Sequence, residues 1–257
     1  MTISPPTSAT TPTGAAPERP TPSAQVGAFP PAQPGTPHSS IVPQGQGGLA
    51  NPPWLRVVSW NLLHIKGATL HDVLRLVDLT NPDVLLMQEA LPMTDALPGL
   101  LGGHYARACL PGRPHGTACW SRLPFDALPA LHPLPPGMIV RRNAQVMRFQ
   151  APFGPFCIAN VHLSHGQILN RRQLRHLRAG LLERAIIMGD FNQVGPALLG
   201  EFKDVGPRAR THLMLKRIPL RLDRCLVRGF QALERGTLPT FGSDHKPISL
   251  LLQPSPV

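Results

Sequence analysis

Six short apolar runs punctuate the chain from residue 55 onward: Leu55 to Trp60, Val84 to Met87, Phe156 to Val161, Ala185 to Met188, Cys225 to Val227 and Ile248 to Leu252. Most have the length and β-branched content of strands buried on both faces. Between the first two the period changes: Leu70, Val73, Leu74 and Val77 share one face of a helix, which Thr69 can cap and Asn81-Pro82 stops. A second helix is predicted from about Gln167 to Leu182, with Leu174, Leu177 and Leu181 on one side. Strands alternating with helices predict an α/β domain, and the clustering of short strands between Leu110 and Leu163 adds hairpins and a mixed sheet. No internal repeat of solenoid length is present.

The polar residues at the ends of these runs carry the functional signal. Four runs finish on Asn61, Glu89, His162 and Asp190, and two begin just after Asp223 and the Asp244-His245 pair. If the last two strands run antiparallel to the other four, all these positions fall on one rim of the core. Rigid strand ends at such a rim position side chains for ligands.

Each position has a chemistry of its own. In Met188-Gly189-Asp190-Phe191-Asn192, Gly189 permits a tight exit from the strand, and Asp190 supplies a carboxylate that can orient a water. Asn192 places an amide on the same side, where it can hold a phosphate oxygen; an Asx turn is the plainer reading. Gly242-Ser243-Asp244-His245-Lys246-Pro247 offers an imidazole suited to proton transfer near neutral pH. Neighbouring residues of an extended chain face opposite ways, so the carboxylate that orients His245 is expected to be Asp223 and not Asp244. Glu89, with help from Asn61, suffices for one hard cation such as Mg²⁺. The His162-Leu163-Ser164-His165 spacing does not imply zinc, since no thiolate or third histidine lies nearby in sequence.

With these residues in place, the chain resembles the endonuclease/exonuclease/phosphatase superfamily, which includes pancreatic-type deoxyribonuclease, apurinic endonucleases, neutral sphingomyelinases and inositol polyphosphate 5-phosphatases. The resemblance spans Ser59-Trp60-Asn61, Asp83 to Gln88-Glu89, Gly116 to Trp120-Ser121-Arg122, Asn160-Val161-His162-Leu163, Gly189-Asp190-Phe191-Asn192, Arg221-Leu222-Asp223 and Ser243-Asp244-His245, in the family's order. It implies a four-layered α/β sandwich, two mixed β-sheets packed face to face and flanked by helices. It also implies that Asn61 and Glu89 hold Mg²⁺ (or Mn²⁺), with Asp244 supporting the metal or its waters. Asp190 would orient or deprotonate the attacking water, Asn192 and His162 would contact the scissile phosphate, and His245, oriented by Asp223, would stabilise charge or move a proton. The reaction implied is in-line attack of water on phosphorus. Two departures limit the likeness. Leu63 stands where some relatives carry a second carboxylate, which weakens a two-metal scheme, and Met138 to Asn143 lacks the acid expected of the apurinic-endonuclease branch.

Composition divides the chain and narrows the partners. Residues 1–53 are rich in Pro, Thr, Ser, Ala and Gly, carry only Glu18 and Arg19 as charges, and read as a disordered tail preceding a catalytic domain over 54–257. No secretory signal and no apolar stretch of membrane-spanning length is evident, and the four cysteines lack paired spacing, so a reduced, cytoplasmic monomer is expected. The net charge of +11 therefore belongs to the folded part and favours anionic partners. Arg171, Arg175 and Arg178 form a helical stripe, and Arg208, Arg210, Lys216, Arg217, Arg221, Arg224 and Arg228 form a second basic group. Such clusters suit a nucleic-acid backbone, with an anionic lipid headgroup as the alternative substrate and a catalytically inert anion-binding module as a third reading.

Overall fold

The computed structural model describes residues 54–110, 112–137, 141–214 and 217–255. The expected tail over 1–53 lies outside these residues, as do Met138 and Lys216. In chain order the first elements are β1 (Leu55–Asn61), α1 (Leu70–Thr80), β2 (Val84–Ala90), α2 (Leu97–Leu101), β3 (His104–Cys109), β4 (Gly116–Ser121) and β5 (Ala130–Pro133). There follow β6 (Asn143–Phe149), β7 (Phe156–His162), α3 (Gln167–Arg178), β8 (Ala185–Asp190) and β9 (Lys203–Asp204). The chain closes with β10 (His212–Met214), β11 (Ile218–Leu220), β12 (Asp223–Arg228), β13 (Phe230–Thr237) and β14 (Ile248–Pro254).

Two six-stranded mixed sheets result, ordered β13-β14-β1-β2-β4-β3 and β5-β6-β7-β8-β12-β9, with β10 and β11 as a separate ribbon. Strand alternation explains why most apolar runs are continuous: β1, β2, β7, β8 and β12 each feed two cores at once, while β14 sends Ile248, Leu250 and Leu252 to one. In β1, Leu55 and Val57 join the core between the sheets while Val58 and Trp60 pack toward α1; in β8, Ile186 and Met188 face that central core while Ala185 and Ile187 pack with α3. Val73, Leu76 and Val77 bury α1 on the first sheet, and Leu174 and Leu177 bury α3 on the second. Helix, sheet, sheet and helix make the four-layered α/β sandwich that the resemblance implies.

Local rules set the element ends. Thr69 and Asp72 form a reciprocal capping box at the start of α1, and Asn81, in the left-handed region, closes it. One expectation is corrected: α3 stops at Arg178, not near Leu182, and Gly180 follows at once. Leu181 still packs on the second sheet, but from the chain beyond the helix. Between the sheets, just short of the rim, the Gln88 amide donates to Ser59 Oγ (3.0 Å) and Asn160 Oδ1 (2.7 Å), and the Asn160 amide donates to the Met87 and Ala118 carbonyls. These buried hydrogen bonds tie the two sheets together where the site begins, and they leave Gln88 Oε1 without a partner among the described residues.

Candidate active site

Strand register assembles the centre of the site. β1 and β2 run parallel, as do β7 and β8, while β14 is antiparallel to β1 and β12 to β8. His162 of β7 and Asp223 of β12 are both register partners of Asp190 in β8, so three ionisable residues lie side by side at one level. Gly189 makes that level reachable: its φ is +145°, and a Cβ there would stand 2.1 Å from the Val161 carbonyl oxygen. His245 comes from the chain leading into β14. That segment is pinned against the end of β1 by Ser243 Oγ donating to the Asn61 carbonyl (2.7 Å) and by the Trp60 indole donating to the His245 carbonyl (3.0 Å).

One carboxylate oxygen is the hub. Asp190 Oδ2 accepts from the Asn61 side-chain amide at 3.1 Å and lies 3.5 Å from His162 Nε2, 3.8 Å from His245 Nε2 and 3.5 Å from Asn192 Nδ2. Its other oxygen accepts the Asn192 backbone N–H at 2.9 Å. Behind His245, Nδ1 donates to Asp223 Oδ2 at 2.9 Å, which is the dyad expected from the sequence. Asp244 makes no hydrogen bond to it and lies 3.7 Å from His212 Nδ1, although ligand atoms of His212, Asp244 and His245 fall within 4.8 Å of one another. Arg142 Nη1 lies 3.0 Å from His162 Nδ1, and a guanidinium can only donate. His162 Nδ1 is therefore the acceptor, and in the neutral ring the proton sits on Nε2, facing Asp190.

The charges follow from burial and proximity. Burial, reinforced by Arg142 and His245, pushes the pKa of His162 well below the ordinary histidine value, so it is a neutral donor at pH 7. Burial raises that of Asp190 against the opposing pull of His245. For His245, burial opposes the charged ring, but the Asp223 and Asp190 carboxylates outweigh it and raise the pKa to about 10. A group whose pKa is raised by folding contributes stability in full below its unfolded value, about 6.5, and loses it as pH rises through the folded value. Metal-free protein is therefore expected to lose several degrees of melting temperature between pH 7 and 10, and His245→Gln to flatten that dependence. Parallel pH profiles of the two proteins would contradict this assignment.

Glu89 and Asn61 form the second half of the site. β2 and β4 change register between Met87 and Ala90, and Glu89 takes a φ of +54°, an unusual backbone for a non-glycine residue. Its Oε2 accepts from the His64 backbone N–H at 3.0 Å and contacts the His64 ring. Burial pushes its pKa up, but those His64 hydrogen bonds prevail and hold it below the usual carboxylate range. Glu89 Oε1 has no protein hydrogen bond among the described residues, and Asn61 Oδ1 accepts a single one, from Leu63 N–H at 3.1 Å. A free carboxylate oxygen and an amide carbonyl with a spare lone pair fit a hard divalent cation. If they hold one, Glu89→Gln should raise the half-saturating metal concentration by about 10- to 100-fold or more; a metal titration unchanged in that variant would remove Glu89 from the site.

Asn61, Glu89, His162, Asp190, Asn192, Asp244 and His245 all line one pocket of about 350 Å³, with Asp223 behind His245. Asp244 reaches this pocket but contacts neither Glu89 nor Asn61 among the described residues. Arg171, Arg175 and Arg178 lie on the exposed side of α3, and none lines the pocket. Sequence reasoning missed four residues. Arg142 and His212 line the pocket, His64 holds Glu89, and His115 stacks on His64 with ring centroids 3.8 Å apart. No third histidine lies near the His162-x-x-His165 pair in sequence, but folding brings His212 and His245 into the same pocket.

This arrangement agrees with comparisons to known proteins. A sequence profile of the Endonuclease/Exonuclease/phosphatase family matches residues 58–245. A Drosophila melanogaster protein, Recombination repair protein 1, is 34% identical over 73 residues, a stretch that spans 27% of this chain and 11% of that protein. Among solved structures, D. rerio TDP2 complexed with a single-strand DNA product is similar at TM-score 0.64 and 17% identity, covering 78% of this chain and 99% of that one. The human Nocturnin catalytic domain with bound sulfate is similar at TM-score 0.63 and 18% identity, covering 79% and 94%. With the profile match extending from β1 to His245, the chain belongs to the endonuclease/exonuclease/phosphatase family, whose members hydrolyse phosphoesters.

Proposed function

We propose that the chain is a divalent-cation-dependent phosphodiester hydrolase acting on nucleic acid. The observation that carries this reading is the convergence of Asn61, His162, His245 and Asn192 on Asp190 Oδ2, with Glu89 in the same pocket. Among the described residues that line the pocket, Asp190 is the carboxylate surrounded by donors that can bind a phosphate's oxygens while it orients a water and takes its proton. Neutral His162, with its proton held on Nε2 by Arg142, donates to a non-bridging oxygen. Asn192 keeps one amide hydrogen on the Leu163 carbonyl (3.0 Å), and its second, long contact to Asp190 is the one that can pass to phosphate. His245, charged and backed by Asp223, stabilises the negative charge that grows as the leaving oxygen departs. A cation such as Mg²⁺ or Mn²⁺ at Glu89 and Asn61 would neutralise charge on the phosphate.

Bis-p-nitrophenyl phosphate with Mg²⁺ or Mn²⁺ tests the chemistry, and a panel of plasmid DNA, single-stranded DNA, RNA, sphingomyelin and phosphoinositides tests the substrate class. Turnover of the generic diester, abolished by EDTA, is expected, together with cleavage of a nucleic acid. Hydrolysis confined to the lipids would favour the lipid phosphodiesterase reading. Binding of nucleic acid without turnover of any ester would favour the inert module.

A further inference from the structure

Next to the catalytic pocket lies a larger concavity of about 660 Å³, lined by the chain from Val194 to Leu198 and by Arg208, Arg210, Arg221 and Arg224. The two share Val194 and Leu220 and so adjoin each other. Four arginines line it together with a single carboxylate, Asp204. Arg221 grips it with two hydrogen bonds, at 2.9 and 2.8 Å, and Arg224 adds a third at 3.0 Å. Arg224 also donates to the Gln193 carbonyl, which fixes the chain that leads out of the Asp190-Phe191-Asn192 turn. Its Nε is buried without a hydrogen-bond partner. Arg208 and Arg210 are exposed and form no ion pair among the described residues. One acid cannot neutralise four arginines, so the groove carries an excess of positive charge, with Arg221 and Arg224 held in place and Arg208 and Arg210 free to meet a ligand.

Resting on the nucleic-acid reading above, we infer that this groove binds the backbone phosphates that flank the scissile one in a single strand, with Arg208 and Arg210 as the contacting residues. A bilayer presents its headgroups in a plane and calls for a protruding basic surface, whereas this charge lines a recess. The lining combines these arginines with the apolar side chains of Val194, Leu198 and Pro219, a mixture that suits the phosphates and sugars of a strand. The α3 stripe is a weaker contender. Arg178 is already paired with Glu201 at 3.4 Å, and neither Arg171 nor Arg175 lines the pocket or the groove.

The test uses the full chain carrying Arg208→Glu and Arg210→Glu, with Arg171→Glu and Arg175→Glu as a matched change of net charge on α3. Binding of a labelled single-stranded oligonucleotide is followed in EDTA against salt concentration, and kcat/KM is measured with Mg²⁺ for that oligonucleotide and for bis-p-nitrophenyl phosphate. The groove variant should lower the slope of log affinity against log salt by about 1.4, two contacts at about 0.7 each for a single strand. It should also cut the ratio of oligonucleotide to generic-diester kcat/KM by about tenfold or more, and the α3 variant should do less on both measures. Equal effects of the two variants, or a groove variant that keeps the oligonucleotide slope but loses binding to phosphatidylserine vesicles, would overturn the inference. Failure of the unsubstituted protein to hydrolyse any diester would instead strike the proposed function, which is a separate result.

Discussion

Asp190→Asn is expected to lower kcat for a phosphodiester by about 10²- to 10⁴-fold, the range typical of a lost general base, with little change in KM. The fold should survive. Asp190 is 1% exposed and burial disfavours its charged form, so an amide of the same shape relieves a desolvation cost, but it gives up attraction to His245 and turns one of two acceptor oxygens into a donor facing donors. The melting temperature is expected to fall by a few degrees with the fold retained. A variant that folds and turns over at the original rate would remove Asp190 from the chemistry.

The next largest effect is expected from the His245 and Asp223 pair. His245→Ala and Asp223→Ala should each cost about 10²- to 10⁴-fold, because one loses the charged donor and the other loses the carboxylate that keeps it charged. Together they should cost no more than the worse of the two, since Asp223 acts through the 2.9 Å contact to His245 Nδ1. Losses that multiply in the double variant would show that Asp223 works by another route.

Strands buried on both sides were legible because they cannot hide. β1, β2, β7, β8 and β12 feed two cores each and read as continuous apolar runs, and β14 stands out as a run although only Ile248, Leu250 and Leu252 join a core. β3 and β5 did not stand out, for the opposite reason: they lie at sheet edges, with partly or largely exposed side chains and no apolar run to mark them. The site divides along the same line. Asn61, Glu89, His162, Asp190 and Asp223 lie at the termini of readable strands, and a rule about strand ends finds them. His115 and Arg142 obey that rule too, since each directly precedes a strand, but neither strand start could be seen. His64 follows β1 in a turn, and only the left-handed backbone at Glu89 brings its carboxylate there. A positive φ at a glutamate leaves no trace in composition, because glycine is the residue that announces one.

The account rests on Glu89, Asp190, His162 and His245 serving one phosphorus centre beside one cation. Crystals of the protein with Mn²⁺ and a slowly hydrolysed phosphorothioate oligonucleotide would show this directly through anomalous scattering. The account predicts a manganese peak at Glu89 and Asn61, with a backbone phosphorus between it and Asp190 and its oxygens within hydrogen-bonding reach of His162 Nε2 and His245 Nε2. Manganese held by His212, Asp244 and His245 with Glu89 bare, or a phosphate bound away from Asp190, would contradict it.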